Sequence, residues 1–426
     1  MSIGTLSTLR LARRRGHRRG FTLVELMVAV TGGLFVSLAV FAISRQTGRF
    51  YTRETRVTDA TLASMVGFER IKADLGRAGF LSSPNITVDP NLCGSPAAYP
   101  YMLRRLSPLR ILPGTSPAAL SQHMIDNGRT PDELIVMGSY TGAEVFPIWN
   151  VDVVGNEFIV HLQSLTGPLG RMGYAASANK QAMLEAIFGS ARGRGLRIQD
   201  QSGEVQYGTI NRVETALTPR VVLEQQPGLL FRQGAGNVCG LKGNVTGAVV
   251  NVVNFVRYDL RNIQANANYA ALYSTGGHPY DSTTRFDLVR AELDTAGALI
   301  AGTEELISEY AVDFKLGITH ADNLVPSTTD QTLQEFPASN PGAISARAGD
   351  LVGDIAVQSN GPQRVRAVRV RLAVRSQEPD RDTSPAPPIA GQFFRVGLGP
   401  SAGAPFARVR TVQADVALNN QTAVFF

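Results

Sequence analysis

The basic segment Arg13-Arg14-Arg15-Gly16-His17-Arg18-Arg19-Gly20 is followed directly by Phe21-Thr22-Leu23-Val24-Glu25-Leu26-Met27-Val28-Ala29-Val30. The apolar run that begins at Phe21 reaches Ile43, and Glu25 is its only ionisable side chain. As a helix, these roughly 23 residues would be about 35 Å long, which is enough to cross a bilayer. The change from basic to apolar sequence therefore lies at Gly20/Phe21, before the apolar run.

The position of this change distinguishes the segment from an ordinary secretory signal, which is cut on the far side of its apolar region. A cut at Gly20/Phe21 would leave the apolar run on the mature protein. The stretch resembles the type IV prepilin signature, and Gly20, Phe21 and Glu25 stand at that family's Gly, Phe and Glu positions. The resemblance implies that a prepilin peptidase cleaves between Gly20 and Phe21 and methylates the new N-terminal Phe21.

Glu25 is costly inside a membrane segment, by about 2.5 to 3.5 kcal/mol on insertion scales, and therefore needs a partner. No cationic side chain lies between Phe21 and Ile43. The resemblance implies that Glu25 pairs with the Phe21 amine of a neighbouring subunit, as an assembly residue. Two alternatives remain open: an uncleaved single-span anchor, and a secretory signal cut after Ala42 of Val40-Phe41-Ala42. Neither alternative gives Glu25 a role.

The formal charge of +6 belongs to the N-terminal segment. Residues 1–20 contain six arginines and no acidic residue, so residues 21–426 carry 41 − 6 = 35 basic against 35 acidic side chains. The rest of the chain is thus neutral, and its charge gives no reason to expect nucleic-acid binding. The positive-inside rule places the basic segment in the cytoplasm, residues 21–43 in the inner membrane and the bulk of the chain outside the cytoplasm.

The two cysteines, Cys93 and Cys239, suit a compartment in which disulfides persist. We expect them to pair, which would close a loop worth up to about 5 kcal/mol in the chain-entropy model. The spacing contains no Cys-x-x-Cys motif, and the five histidines are scattered. We therefore predict no metal site and no cofactor.

The pattern after Ile43 predicts an α+β protein in which a long helix packs on a large antiparallel β-rich head. Apolar residues recur at helical spacing from Leu62 to Ala78, and no proline precedes Pro84, so one helix is predicted from Phe21 to about Arg77. We divide the chain into a cleaved leader (1–20), a transmembrane half-helix (21–43), an amphipathic half-helix (44–78) and a β-rich head (79–426).

Alternating apolar residues between turn signals predict ten strands and one more helix in the head. The helix is Asn179 to Phe188. The predicted strands are Glu133 to Gly138, Glu144 to Trp149, Glu157 to Leu162, Val205 to Val213, Val221 to Phe231, Val245 to Leu260, Phe286 to Leu293, Leu306 to Ile318, Val365 to Val374 and Arg408 to Leu418. Two long polar stretches, 320–363 and 376–391, are predicted to be surface loops.

A second resemblance covers parts of the head. Residues 68–80 are similar to the end of the long helix in PilW-type minor pilins, and residues 305–318, 365–376 and 409–420 resemble that family's C-terminal strands. Residues 85–240 match nothing in that pattern, and the long insertion between Ile318 and Val365 departs from the family's compact hairpin. Recognition surfaces therefore cannot be carried over from the family to these parts.

Other chemistry finds little support in the sequence. Val365 to Ser376 is rich in arginine, but strict alternation with valine and leucine favours one buried and one solvated strand face over a phosphate-binding stripe. The glycines of 189–195 and 234–236 do not form a phosphate-binding motif, so we interpret them as turns. No nucleophile motif is present. We predict that the protein is not an enzyme.

Together these patterns predict a PilW-like minor pilin that primes assembly of a type IV pilus or forms its tip. The expected partners are a prepilin peptidase, the inner membrane, and other minor pilins and the major pilin through the N-terminal helix. A tip adhesin is a further candidate partner. The alternatives are a minor pseudopilin of a type II secretion system, with the same helix, and a membrane-anchored pilin for DNA uptake. The processed protein would move from the inner membrane to the pilus and cell surface.

Overall fold

The computed structural model describes most of the chain. The described residues are 20–112, 114, 131–189, 193–215, 218–232, 239–241, 245, 247–274, 285–321, 333–335, 361–378, 395–398 and 405–421. They form an α+β protein with one long N-terminal helix and a large antiparallel β domain, which confirms the predicted fold class. The chain divides into two compact units: the first ends at Thr55, and the second begins at Arg56.

Five α-helices are described, and the first dominates: α1 runs over 54 residues from Leu23 to Gly76. It ends near the predicted Arg77, where Gly79 takes a positive φ of 74°. The predicted helix at Asn179 to Phe188 is confirmed as Lys180–Phe188. Three further helices of four or five residues escaped prediction because they are too short to show a period. In chain order, the remaining helices are α2 (Tyr101–Arg104), α3 (Gly167–Arg171), α4 (Lys180–Phe188) and α5 (Ala270–Ser274).

Fifteen strands are described, and they pair in two antiparallel sheets of ten and five strands. In chain order they are β1 (Leu109–Leu112), β2 (Glu133–Gly138), β3 (Phe146–Val154), β4 (Glu157–Leu162), β5 (Gly195–Gln199), β6 (Val205–Glu214), β7 (Arg220–Leu223), β8 (Val249–Arg261), β9 (Asp287–Leu293), β10 (Glu305–Ser308), β11 (Ala311–Ala321), β12 (Leu333–Glu335), β13 (Val365–Arg375), β14 (Arg395–Gly397) and β15 (Phe406–Ala417).

Part of the larger sheet closes on itself as a six-stranded barrel. The strand order β8-β3-β4-β7-β6-β5 returns to β8, because residues 249–253 of β8 also pair with β5. Each barrel strand contributes a fully buried apolar side chain to the same cluster: Ile148, Val160, Leu196, Ile210, Val221 and Val250. Closure removes open edges from this part of the sheet. The remaining half of β8 pairs with β2 and β9 outside the barrel.

The outer end of α1 is buried among both sheets. Phe68, Ile71 and Leu75 join one apolar cluster with residues from the flat part of the first sheet and from β11 and β13 of the second. The helix approaches β10 closely at Gly67, where an added Cβ would lie 3.0 Å from the Ile307 carbonyl oxygen. A residue with a side chain at position 67 would therefore push the helix away from the strand.

The predicted strand Leu306 to Ile318 is wrong as a single element. Tyr310 has a φ of +54°, which breaks the run into β10 and β11. β10 pairs with β9 in the first sheet, whereas β11 pairs with β13 in the second, so Tyr310 lies where the chain changes sheets. The backbone N–H of Tyr310 donates to Asp287 at 2.8 Å, and the Arg285 and Arg375 guanidiniums lie 4.5 and 4.6 Å from its ring centre.

Three other strand boundaries differ from prediction by more than two residues. The strand predicted at Val221 ends at Leu223 rather than Phe231, in keeping with the inability of Pro227 to donate to a ladder. The strand predicted at Val245 begins at Val249, after Gly247 with its φ of +89°. The strand predicted to end at Trp149 continues to Val154 and turns through Gly155 into β4. The predicted loops 320–363 and 376–391 lie mostly outside the described residues, although the first contains β12.

Cys93 and Cys239 form a disulfide, with Cα atoms 5.7 Å apart across a sequence separation of 146. Among the described residues no cysteine is free. The backbone next to Cys93 is also fixed, because its N–H donates to the Val205 carbonyl at 2.9 Å. The disulfide thus attaches two chain segments beside the start of β6.

A buried ion pair fixes the end of α1 to the head. The Asp74 carboxylate accepts hydrogen bonds from Arg290 Nε and from the Tyr258 hydroxyl, both at 2.7 Å. The Tyr140 hydroxyl donates to the Asp74 backbone carbonyl at 3.0 Å. Arg290 also pairs with Glu305, at 3.5 Å, but Glu305 is half exposed. Removing Asp74 would therefore leave the buried guanidinium with the weaker of its two partners.

We expect Asp74→Ala to lower the free energy of unfolding by about 3 kcal/mol, since Arg290 would stay buried with only its longer pair to the half-exposed Glu305 at 3.5 Å. Urea unfolding of the full chain in detergent measures this change. The matched control is Lys72→Ala on the same helix, which loses only an exposed pair with Glu69 (3.6 Å). A loss below about 1 kcal/mol for Asp74→Ala, equal to that of a surface pair, would contradict this account.

Glu133 at the start of β2 is a second buried acid, only 7% exposed. Burial raises its pKa to about 7, while the Arg257 guanidinium opposes and the Asp259 carboxylate reinforces that shift. The folded protein therefore holds a proton on Glu133 more tightly than the unfolded chain, and stability falls as the pH rises from 4.5 to 7.

Glu133→Gln should abolish this pH dependence, because the amide stays neutral. The variant's advantage over the wild type in free energy of unfolding should grow by up to about 3 kcal/mol across that range. Urea unfolding at several pH values tests it, with the exposed Glu69→Gln as a control that makes the same chemical change. A wild-type–variant difference that stays flat with pH would refute the assignment.

Candidate functional site

The candidate site is the N-terminal part of α1. Leu23–Gly48 is a 26-residue apolar helix, about 39 Å long, and it is long enough to cross a membrane. None of its most apolar stretch is buried within the chain. A helix of this composition near an N-terminus is either a membrane anchor or a signal sequence. Its exposed leucines, valines and phenylalanines must meet lipid or another protein.

The helix begins with a capping box. Glu25 Oε2 accepts hydrogen bonds from the backbone N–H and the hydroxyl of Thr22, both at 3.0 Å. In return, Thr22 Oγ1 accepts from the backbone N–H of Glu25 at 3.2 Å. This reciprocal pattern satisfies donors that a helix start leaves without intrahelical partners. The Thr-x-x-Glu spacing of Thr22 and Glu25 is visible in the sequence, so sequence reasoning missed a signal that was present.

The capping box changes the account of Glu25. The sequence predicted a carboxylate that needs a partner from another subunit, whereas the structure gives it one within its own chain. The local bonds use only one of its two oxygens: among the described residues, none donates to Oε1. Glu25 can therefore hold the helix start and still accept a cation from outside the chain. Its pairing with a neighbouring subunit stays a prediction.

Gly20 and Phe21 lie just before the helix, in extended or irregular backbone. Both residues are exposed, and an added Cβ on Gly20 would meet no atom within 4 Å. The bond between them thus lies outside the described helices and strands. Cleavage at this bond and methylation of Phe21 stay predictions.

Part of the predicted apolar stripe on α1 faces away from the head. Phe68, Ile71 and Leu75 are buried as predicted, but Leu62 and Met65 are 63% and 53% exposed. Val66 is 64% exposed beside them, so an apolar ridge at i, i+3 and i+4 lies on the surface. The described part of the head thus covers only part of this stripe, which periodicity alone does not predict.

The arginine-rich strand β13 has acidic neighbours. Arg369 makes a bidentate pair with Asp415 at 2.7 and 2.9 Å, and Arg371 pairs with Asp313 at 3.0 Å. The predicted solvated face is wrong at its end, where Ala373 and Arg375 are buried. Ala373 packs with Val396 and Leu398 of the β14 segment. Acidic partners on these two arginines weigh against a row of free cations for phosphate.

The described residues contain no group of three or more histidine, cysteine, aspartate or glutamate side chains placed to hold a metal ion. Of the glycines interpreted as turns, Gly189 and Gly193 have positive φ, whereas 234–236 lie outside the described residues. Comparison of the chain with known protein families, curated proteins and solved structures finds no match. The case for function therefore depends on the chain's own residues.

Proposed function

We propose that the protein is a minor pilin of the PilW type, which is processed between Gly20 and Phe21 and then assembles with other pilins through α1. The observation that carries the proposal is an apolar helix that the described residues leave uncovered. Its first turn contains a single acid, Glu25, and no described residue donates to one of the two carboxylate oxygens. A membrane anchor alone needs the length and the apolarity of this helix but does not need the carboxylate.

The proposed assembly contact is an ion pair. After cleavage, the Phe21 amine of one subunit would approach Glu25 Oε1 of another, in a site walled by apolar side chains. Removing one member of such a pair costs at least about 2 kcal/mol, because the other charge stays desolvated. The capping box is compatible with this role, since it orients the carboxylate from within its own subunit.

The ridge of Leu62, Met65 and Val66 supports the same proposal. It lies beyond the apolar span on the same helix, and the head does not cover it. We infer that it packs against α1 of a neighbouring subunit outside the bilayer. Before assembly, the protein would reside in the inner membrane, with the basic residues 10–19 on the cytoplasmic side.

The experiment must separate the two roles of Glu25, and three substitutions do so. Glu25→Gln keeps a capping-box residue but removes the charge, whereas Thr22→Val keeps the charge but removes the hydroxyl. Glu25→Ala removes both. We expect Glu25→Gln and Glu25→Ala to lower incorporation into sheared filaments by at least about tenfold. Thr22→Val should stay within about threefold of the wild type.

Quantitative mass spectrometry of filament and membrane fractions from the same cells provides the readout, and the membrane fraction is the control for insertion. Wild-type incorporation of Glu25→Gln would show that Glu25 acts only as a helix cap, and the ion-pair mechanism would be wrong. Equal losses for Thr22→Val and Glu25→Gln would assign the defect to the helix start rather than to the charge.

A further inference from the structure

Trp149 is the chain's only tryptophan, and it lies on the outer wall of the barrel with 45% of its surface exposed. Large aromatic side chains bury most of their area when they serve only packing. The barrel interior is already filled by residues on the other face of the same strands. Trp149 thus leaves nearly half of its surface outside the barrel, where a ligand could contact it.

A β-bulge directs Trp149 outward. The register between β3 and β4 shifts between Ile148 and Asn150, which leaves Trp149 as the extra residue. Ile148 points into the barrel core, and Asn150 pairs with His161 on the outer face. Bulges of this kind change the direction of a side chain and are frequent beside functional sites.

The indole of Trp149 packs against the His161 ring. Its ring lies 5.1 Å from the His161 ring at an interplanar angle of 55°. His161 is itself fixed, because Nε2 lies 2.8 Å from the Asp152 carboxylate and Nδ1 lies 3.3 Å from the Thr218 hydroxyl. This contact supports one side of the indole, and Trp149 remains 45% exposed. His161 is buried and acts as a positioning residue.

Polar groups surround this ring on the same face. Asp152 is half exposed, with Oδ1 accepting from the Asn150 amide and Oδ2 facing His161. Arg220 of β7 is the cross-strand partner of His161, so its side chain shares the face. Within the described part of the chain, Arg220 Nε is buried and makes no hydrogen bond, so any contact with a ligand would come from the terminal nitrogens of the guanidinium. The acid that pairs with Arg220 across β6, Glu214, is bound by Arg212 at 2.9 Å.

We propose that Trp149, Asn150, Asp152 and Arg220 form a saccharide-binding site. A pyranose ring has an apolar C–H face that stacks on an indole, and hydroxyls at its edge that need both acceptors and donors. Asp152 supplies acceptors, Arg220 supplies donors, and the Asn150 amide carbonyl supplies a further acceptor. The site is preformed, since the bulge and His161 fix the platform before any ligand arrives.

A protein partner fits this surface less well. Aromatic anchors at protein interfaces lie at the centre of patches that exclude water. The cross-strand neighbours beside Trp149 on this face of the sheet are all polar: they are Asn150, His161 and Arg220. The next row contains Asp152 beside two apolar residues, Ile159 and Val222. The polar row at Trp149 matches a ligand that carries its own hydroxyls.

Trp149 also provides a clean test, because the intrinsic tryptophan fluorescence of the full chain comes from this one residue. The full chain should be kept in octaethylene glycol monododecyl ether, a detergent without a sugar headgroup. The probes are methyl β-D-glucopyranoside, methyl β-D-galactopyranoside, N-acetyl-D-glucosamine and N-acetylneuraminic acid, with mannitol as an acyclic control. We expect at least one probe to give a saturable emission shift with Kd near about 1 mM, and to protect Trp149 from acrylamide quenching, while mannitol does neither.

Variants are compared by retention on beads that carry the best probe. Trp149→Ala and Asp152→Asn should each weaken retention about tenfold or more, and Trp149→Phe should lose less than Trp149→Ala. Val153→Ala, a similarly exposed neighbour on β3, is the matched control and should bind as the wild type. Circular dichroism confirms that each variant is folded. The absence of a saturable wild-type response to all four sugars would overturn the proposal, as would undiminished retention of folded Trp149→Ala.

Discussion

The outer end of α1 is the element on which the β domain depends. Between Phe68 and Leu75 the helix contributes apolar side chains to a cluster that both sheets share, and Asp74 contributes the carboxylate that compensates Arg290. Direct contacts join the two sheets as well, because Asp132 beside β2 accepts hydrogen bonds from Lys315 and Leu316 of β11. The apolar surface at the N-terminal end of the same helix is not covered by any of the residues that the structure describes. The C-terminal end of α1 thus packs in the core of the head, whereas the apolar side chains at its N-terminal end need contact with lipid or another protein.

The head builds two different structures from one strand. The first residues of β8 pair with β5 in the barrel, and its last residues pair with β9 outside the barrel. One strand therefore belongs to both substructures. At Tyr310 the chain passes from the ten-stranded sheet to the five-stranded sheet. The Asp287 carboxylate and two arginines stabilise Tyr310 in its positive-φ conformation. These connections explain why the head forms one compact unit although its strands lie in two sheets.

The sequence was sufficient for elements with a continuous period. The helix to Gly76, the strands Glu133–Gly138 and Glu157–Leu162, and the pairing of Cys93 with Cys239 follow from patterns within single segments or from composition. What it could not provide depends on partners distant in the chain. The barrel closes because β5 pairs with β8, which are distant in the sequence. The chain changes sheets at Tyr310 because of a positive φ that the sequence pattern around it does not reveal. Leu62 and Met65 show the same limit, since their exposure depends on where the head ends. The cap formed by Thr22 and Glu25 differs, because its spacing is local and readable.

The central claim is that residues 21–76 form an assembly helix released by cleavage after Gly20. The most direct measurement is mass spectrometry of the N-terminal peptide, with its abundance, in sheared extracellular filaments and in the envelope fraction of the same cells. The account predicts an N-methylated peptide that begins at Phe21 and is present at low abundance in the filaments. The same peptide confined to the envelope would favour a pseudopilin. A chain that begins at Ile43, or that still carries Arg13 to Gly20, would contradict the account.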